Sequence, residues 1–170
     1  VKVIPAGDES NWVCQLWRTL PVSIDSNVEI MISRDTDCRL CAREAAAVEE
    51  WMQSDKDFHI IRDHPYHATE IMGGMWGVKN GLLSNMINMV DEYEKGDFWQ
   101  VDQNFLREKI YPMVQEHALV HDPFFERRPF PIERDYNSKV RFIGEVFDEN
   151  EEYNPKDIEV LAQAEGVNLL

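Results

Sequence analysis

The sequence predicts an α/β domain with three layers, in which helices cover both faces of a mostly parallel sheet. Three observations predict this fold class and its organisation as a single domain. Short apolar stretches of strand composition alternate with stretches whose apolar residues recur at helical spacing. Of the 170 residues, 44% are hydrophobic, which suffices for one domain with a core of ordinary size. The chain contains no internal repeat and no low-complexity segment, so residues 1–170 are expected to form a single domain.

Apolar spacing and helix propensity define the elements of the first half of the chain. Residues 1–4 predict a short strand that ends before Pro5, and residues 11–20 predict a short helix that stops at Pro21. Residues 28–33 predict a buried strand because most of them are apolar. The alanine-rich stretch 42–54 predicts a strong helix, and residues 58–62 predict the next strand.

The second half begins with a segment, residues 63–77, that is rich in Gly, Pro and His and predicts irregular structure. Helical spacing returns over residues 82–93. A third main helix begins near Asp102 and is expected to end or bend near Pro112, because proline lacks the backbone N–H that a helix uses. Residues 118–120 and 140–143 predict short strands. Residues 148–170 are acidic and loosely patterned, and are expected to form a tail of the same domain.

The charge and the cysteines exclude several classes of partner and site. A formal net charge of -15 argues against a nucleic-acid partner and against an anionic membrane surface, because both attract Lys and Arg. No apolar run approaches the roughly 20 residues of a membrane span, so none is expected in this chain. Cys14, Cys38 and Cys41 favour a reducing, cytoplasmic location over a disulfide framework. A zinc site would need a second pair beside Cys38 and Cys41, which the sequence lacks.

The clearest candidate site is the acidic triplet of Asp35, Thr36 and Asp37, which follows the predicted strand over residues 28–33. Ligands of open α/β sheets bind beyond the carboxyl ends of the strands. Two carboxylates separated by one residue can converge on Mg²⁺ or Mn²⁺ and leave coordination positions for a diphosphate. The same two acids can instead cap the helix that follows, as acidic residues near a helix start commonly do. The spacing alone does not choose between these two interpretations.

Seven blocks follow one another along the chain: LWRTLP, SRDTDCRL, AREAAAVEEWMQSDKDFHIIRDHPYH, GGMWGVKNG, VDQNFL, LVHD and FIGEVFDENEE. In this order they resemble an uncharacterised group of glycosyltransferases with the GT-A, or nucleotide-diphospho-sugar transferase, fold. The resemblance covers nearly the whole chain from Trp12 to Glu152. It implies transfer of a sugar from a nucleotide-diphospho-sugar donor to a glycan or other hydroxyl acceptor, with Mn²⁺ or Mg²⁺ as cofactor.

The resemblance implies roles for residues around the donor. Asp35 and Asp37 would form the D-x-D motif, in which Asp37 binds the metal and Asp35 contacts the metal or the nucleotide ribose. Arg18 lies where such enzymes place an arginine near the donor phosphates or sugar. Asp63 follows a predicted strand and would hydrogen-bond the sugar.

The GGMWG block would form a loop against the donor sugar. Gly73 and Gly74 would let the backbone approach that sugar closely, with an ordinary turn as the alternative. Trp76 would offer a face on which the sugar stacks. His64 and His67, just before this block, are compatible with a shared cation, with a contact to donor or acceptor, or with a structural role.

Asp102 and Gln103 resemble the D-Q pair that faces the reacting sugar in retaining transferases such as the glycogenin-like family. An N-cap role for Asp102 is the alternative, and if Asp102 acts as a general base the reaction would invert. His121 follows a predicted strand and would supply a third protein ligand to the metal. The alternative for His121 is an ordinary surface pair with Asp122.

The chain also departs from the family pattern. GT-A enzymes normally place a nucleoside-binding strand and helix well before the D-x-D motif, whereas 34 residues precede Asp35 here. We therefore expect a fragment, a minimal variant or a non-catalytic remnant, and the alternative function is a carbohydrate- or partner-binding module derived from such a fold. Phosphatases of the haloacid-dehalogenase type also carry D-x-D after an apolar strand, but there the first Asp follows the strand directly. In this chain Ser33 and Arg34 intervene, and Arg39 replaces the usual Thr or Val.

Overall fold

The computed structural model describes residues 12–24, 27–79, 81–93 and 98–168, which form a mixed α/β structure around one open four-stranded sheet. The prediction of an α/β fold is therefore confirmed. The strands are β1 (Ile30–Ser33), β2 (Phe58–Ile61), β3 (Trp76–Lys79) and β4 (Ala118–His121), in the order β1-β3-β2-β4.

The sheet of the described residues is mixed rather than mostly parallel, which corrects the expectation from the sequence. β3 pairs antiparallel with both β1 and β2, and only β2 and β4 are parallel. β1, β2 and β4 consequently run in one direction, and their carboxyl ends lie at the same edge of the sheet. The expectation was wrong because β3 begins inside the segment, residues 63–77, that was predicted to be irregular. The predicted strand over residues 1–4 lies outside the described residues.

The helices agree with the sequence in position more than in extent. The helix predicted over 42–54 is confirmed, and the chain around Pro112 remains helical after a π-helical turn over Leu106–Ile110. Pro21 begins a helix instead of ending one, because the first turn of a helix needs no N–H from proline. The helices are α1 (Pro21–Ile24), α2 (Ala42–Gln53), α3 (Met86–Asp91), α4 (Val101–Phe105), α5 (Tyr111–Val114) and α6 (Pro155–Glu165), with 3₁₀ helices at Trp12–Thr19 and Gln115–His117.

The acidic tail contains a helix that the sequence analysis did not expect. α6 begins where Asn154 accepts a hydrogen bond from the Lys156 N–H at 3.2 Å, and it ends at Gly166, which has a φ of 69°. Its residues Ile158 and Leu161 are buried against Phe142. α6 therefore packs against the body of the domain. Residues 140–143, predicted as a strand, form no strand.

The core brings α2 close to the sheet at a glycine. Trp51 of α2 is fully buried, and a Cβ atom on Gly77 of β3 would lie 3.0 Å from its ring. The absent side chain of Gly77 thus makes room for the tryptophan. The largest apolar cluster contains Phe58, Trp76 and Phe105. In the described ranges, no helix combines the length and apolar character that crossing a membrane requires.

Candidate functional site

Arg18 joins two carboxylates that come from distant parts of the chain. Its Nη1 atom donates a hydrogen bond to Asp35 Oδ1 at 2.6 Å, and its Nε atom lies 3.8 Å from Asp102 Oδ2. Arg18 lies in the 3₁₀ helix Trp12–Thr19, Asp35 follows β1, and Asp102 lies in the first turn of α4. Three of the residues that the sequence analysis assigned to the donor and the reacting sugar therefore meet at one point.

Gly73 and Gly74 complete this cluster from the other side. A Cβ atom on Gly73 would collide with the Asp102 carboxylate and lie 3.0 Å from Arg18 Nη1. A Cβ atom on Gly74 would collide with the Asp35 carboxylate and lie 2.9 Å from the Asp35 backbone nitrogen. Neither residue has a positive φ, so lack of space and not backbone conformation favours glycine at both positions, most strongly at Gly74, where a backbone atom lies in the way. We call Arg18, Asp35, Gly73, Gly74 and Asp102 the acidic cluster.

Hydrogen bonds to the carbonyl of Gly73 hold the glycine pair in this position. Ser33 Oγ, in β1, donates to it at 2.8 Å, and Trp76 Nε1, in β3, donates to it at 3.0 Å. Both donors lie in strands of the sheet. The loop before β3 is therefore anchored to two neighbouring strands while its glycines face the acids.

Neither acid of the D-x-D triplet caps the following helix. The N-cap residue of α2 is Cys41, whose side chain makes no capping hydrogen bond. The capping interpretation of Asp35 and Asp37 is therefore not what the structure shows. Asp102 is likewise not an N-cap, since that position of α4 belongs to Gln100, which has a φ of 71°.

Asp102 is the buried member of the acidic cluster. Its side chain is 6% exposed, whereas those of Arg18 and Asp35 are 32% and 41% exposed. Burial raises the pKa of Asp102, the Arg18 guanidinium lowers it, and the nearby Asp35 carboxylate raises it. The Gln103 backbone N–H donates to Asp102 Oδ1 at 2.8 Å. Gln103 itself is half-buried, next to Asp102 in α4.

Asp37 presents an exposed carboxylate beside the cluster. Its backbone carbonyl accepts a hydrogen bond from the Phe147 N–H at 2.9 Å, which fixes the main chain. No cation of the described residues forms an ion pair with its side chain. Asp35 and Asp37 both line a cavity of about 260 Å³. Asp35 also borders a second cavity of about 550 Å³, whose walls include Ile32 and Leu40.

The acidic pair suits a divalent cation that is held mainly by its substrate. Asp35 has one oxygen bound by Arg18, and Asp37 has one oxygen that accepts a hydrogen bond from Cys38 Sγ at 3.7 Å, so each acid keeps one oxygen for a cation. Among the residues that the structure describes, no group of three or more His, Cys, Asp or Glu side chains is arranged to hold a metal. Mg²⁺ and Mn²⁺ commonly take one or two carboxylates and complete their shell with phosphate and water. The donor set fits that kind of site.

His121 does not join the acidic pair as a third ligand. Its Nδ1 lies 2.8 Å from Nε2 of His59, and its Nε2 lies 3.2 Å from an oxygen of Glu50. Both ring nitrogens are therefore engaged by other side chains. Burial lowers the pKa of His121, so the ring is expected to be neutral at pH 7. In the structure His121 forms a buried pair with His59, away from the expected metal position.

Asp63 and Trp76 also lie apart from the acidic cluster. The Asp63 side chain is fully buried, where it accepts hydrogen bonds from Arg43 and Arg134 and from the Ile143 N–H at 3.0 Å. Trp76 is fully buried and stacks on Phe58, with ring centroids 5.4 Å apart. Neither side chain can reach a sugar from these positions, because both are packed inside the domain.

The sequence analysis missed the contribution of the C-terminal part to the cavity beside Asp37. Asp157 of α6 is part of the cavity wall. The start and stop signals of α6 were present in the sequence, as Asn154 followed by Pro155 and, eleven residues on, Gly166.

Comparisons with protein-family models, with curated proteins and with solved structures each found no match for this chain.

Proposed function

We propose that this protein is a metal-dependent glycosyltransferase of GT-A type. It would transfer a sugar from a nucleotide-diphospho-sugar to a glycan or other hydroxyl acceptor, with Mn²⁺ or Mg²⁺ as cofactor. One observation carries the proposal: Arg18, Asp35, the glycine pair and Asp102 converge at the carboxyl end of β1. These residues come from four separate blocks of the sequence that were assigned to donor binding and catalysis.

The charges of the cluster suit a diphosphate leaving group. Asp35 and Asp37 would hold the cation, and Arg18 is half-exposed beside them, where its guanidinium can reach a phosphate oxygen. When bound, the cation would offset the negative charge that develops on the diphosphate as the glycosidic bond breaks. Unit charges about 4 Å apart interact by roughly 4 kcal/mol at an effective dielectric near 20. That amount, if gained only in the transition state, corresponds to about a thousandfold in rate.

Asp102 is the candidate for the group that faces the reacting sugar. Its carboxylate is largely buried and lies next to Arg18, which favours the ionised form against the cost of burial. An ionised, poorly solvated carboxylate can stabilise positive charge on the sugar or accept the proton of the acceptor hydroxyl. A Cβ atom on Gly73 would overlap the Asp102 carboxylate, so the glycine leaves the space that this carboxylate occupies.

The test is calorimetric titration of the protein with UDP and with GDP, in the presence of Mn²⁺ and again with EDTA. We expect binding that requires the metal. Asp37→Asn should abolish this binding and leave the fold intact, because the exposed Asp37 side chain makes no ion pair with the described residues. The matched control is Asp55→Asn, an exposed acid after α2, which should bind as the wild type does.

Undiminished binding by Asp37→Asn would contradict the metal assignment. Metal-dependent hydrolysis of nucleotide-sugars by the wild type would distinguish a transferase from a non-catalytic module, which would bind without turnover.

A further inference from the structure

The cavity beside Asp37 is lined by aromatic and histidine side chains as well as by the two acids. Its volume is about 260 Å³, slightly below the roughly 300–1,000 Å³ of pockets that take drug-sized ligands. It suits one ring-sized group. Besides the two acids, its lining includes the turn that contains Tyr66 and His67 and the segment that contains Phe142 and Gly144.

The turn of residues 63–67 is held by its own histidines. His64 Nδ1 accepts a hydrogen bond from the Tyr66 N–H at 3.0 Å, and His64 Nε2 lies 2.9 Å from the Asp157 carbonyl. The His67 N–H donates to the His64 carbonyl at 2.9 Å. Both nitrogens of His64 are therefore used inside the protein. A cation shared by His64 and His67 is not compatible with these bonds.

His67 keeps one ring nitrogen for the cavity. Its Nδ1 accepts the Asp63 backbone N–H at 3.1 Å, so Nδ1 carries no proton and the proton of the neutral ring is on Nε2. Burial, together with His64 and Arg134, lowers the pKa of His67 to about 3, and the ring is neutral at pH 7.

The Nε2–H group of His67 makes no hydrogen bond to the described residues, and His67 lines the cavity. Nε2 is not one of the fully buried polar atoms that lack a partner, so it keeps access to solvent. An oxygen atom of a ligand in the cavity can therefore accept its hydrogen bond. A protonated Nε2 also cannot bind a metal or accept a proton.

The surroundings of His67 suit a sugar ring. Tyr66 is 63% exposed, and both Tyr66 and Phe142 line the cavity, so its lining combines aromatic surface with polar groups. Gly144 has a φ of 88°, and a Cβ atom there would lie 3.2 Å from His67 Cε1 and 3.0 Å from Met75 Sδ. The glycine keeps the space beside the imidazole open.

We propose that this cavity binds one sugar ring and that His67 Nε2–H donates a hydrogen bond to one of its hydroxyl oxygens. Asp35 and Asp37 line the same cavity and would place that ring next to the diphosphate. The inference deepens the proposed function and rests on it for the identity of the sugar. The ring belongs either to the donor or to the acceptor, since both offer the same hydroxyl chemistry.

Two variants of His67 separate ligand binding from the structural role of the ring. His67→Asn keeps a short acceptor for the Asp63 N–H and removes the donor at the Nε2 position. His67→Gln extends an amide N–H towards the Nε2 position and gives up the acceptor near the backbone. If His67 binds the ligand, His67→Asn should weaken sugar binding and His67→Gln should retain part of it. If the ring has only a structural role, His67→Gln should be the less stable variant and neither substitution should selectively weaken sugar binding.

The probes are UDP with Mn²⁺, UDP-glucose and UDP-N-acetylglucosamine with Mn²⁺, and the methyl glycosides of glucose, galactose, mannose and N-acetylglucosamine. We expect His67→Asn to weaken binding of a sugar-containing probe by roughly three- to tenfold, as the loss of one hydrogen bond implies, and to leave UDP binding unchanged. An effect on the UDP-sugars identifies the donor ring, and an effect on the methyl glycosides alone identifies the acceptor ring.

The inference and the proposed function fail in different ways. If UDP binds with Mn²⁺ but no sugar-containing probe is weakened by His67→Asn, the sugar site is overturned and the proposed function stands. If neither UDP nor GDP binds in the presence of Mn²⁺, the proposed function is overturned, and the sugar site is then tested with the methyl glycosides alone. Binding that His67→Asn weakens upholds the sugar site, and unaltered or absent binding overturns it. Nitrogen NMR of the His67 ring at pH 7 should show the proton on Nε2; a proton on Nδ1 would also overturn it.

Discussion

The carboxylate of Asp35 occupies the space that a side chain on Gly74 would need. Asp35 is in turn bound by Arg18 at 2.6 Å, so its position is defined from two sides. The geometry of the acidic cluster therefore depends on the absence of a methyl group at residue 74. This dependence can be tested without changing any charge.

Gly74→Ala should displace Asp35 and reduce Mn²⁺-dependent UDP binding at least tenfold, with a loss of about 1–3 kcal/mol in the free energy of unfolding from overpacking. Calorimetry and urea denaturation measure the two effects. Gly81→Ala is the control, because Gly81 has a φ of 98° and no atom within 4 Å of a Cβ. It should cost about 1–2 kcal/mol through backbone strain and leave UDP binding unchanged. Equal binding losses in both variants would contradict the model of the cluster.

The pH dependence of stability should reveal the buried carboxylate of Asp102. Burial raises its pKa above the ordinary value of 3.8, so between the two values the folded state holds more protons than the unfolded state. The free energy of unfolding of the wild type should therefore fall, relative to Asp102→Asn, as the pH rises through that interval. Urea denaturation from pH 3 to pH 7 measures the difference. A wild type that instead gains stability over this interval would show that Arg18 outweighs burial.

The buried histidine pair predicts a loss of stability in acid. Burial and the neighbouring His121 lower the pKa of His59 to about 2, whereas the unfolded chain protonates near 6.5. Stability is present above pH 6.5 and is lost as the pH falls, by about 2 kcal/mol from this residue between pH 6.5 and 5. His59→Phe keeps a ring against Trp51, 5.2 Å away in the wild type, and should show a smaller loss. Identical pH profiles would contradict the assignment.

Asp63 should be a residue of the fold and not of the sugar site. Its fully buried carboxylate pairs with Arg43 and Arg134, and removing one partner of a buried ion pair typically costs about 3–5 kcal/mol. Asp63→Asn should lose stability of that order in urea denaturation. The variant, where folded, should bind UDP and Mn²⁺ as the wild type does. A selective loss of binding at unchanged stability would return Asp63 to the candidate site.

The sequence by itself determined the elements that depend on local interactions. The spacing of apolar residues located β1, β2, β4 and α2, because a strand or a helix shows its buried face as a period in the chain. The charge and the acid triplet indicated where chemistry would lie. The residues of the acidic cluster were also named from the sequence, through the resemblance of separate blocks to one family.

Only the tertiary structure decided which of these residues meet. β3 was not recognised because a glycine-rich stretch looks irregular until two neighbouring strands bury it, and its insertion made the sheet mixed. Asp63, Trp76 and His121 have side chains suited to a ligand, yet each is engaged inside the domain. Asp63 pairs with arginines, Trp76 stacks on Phe58, and His121 contacts His59. Whether a polar or aromatic group faces a cavity or the interior depends on contacts between residues far apart in the chain, and no local pattern encodes such contacts.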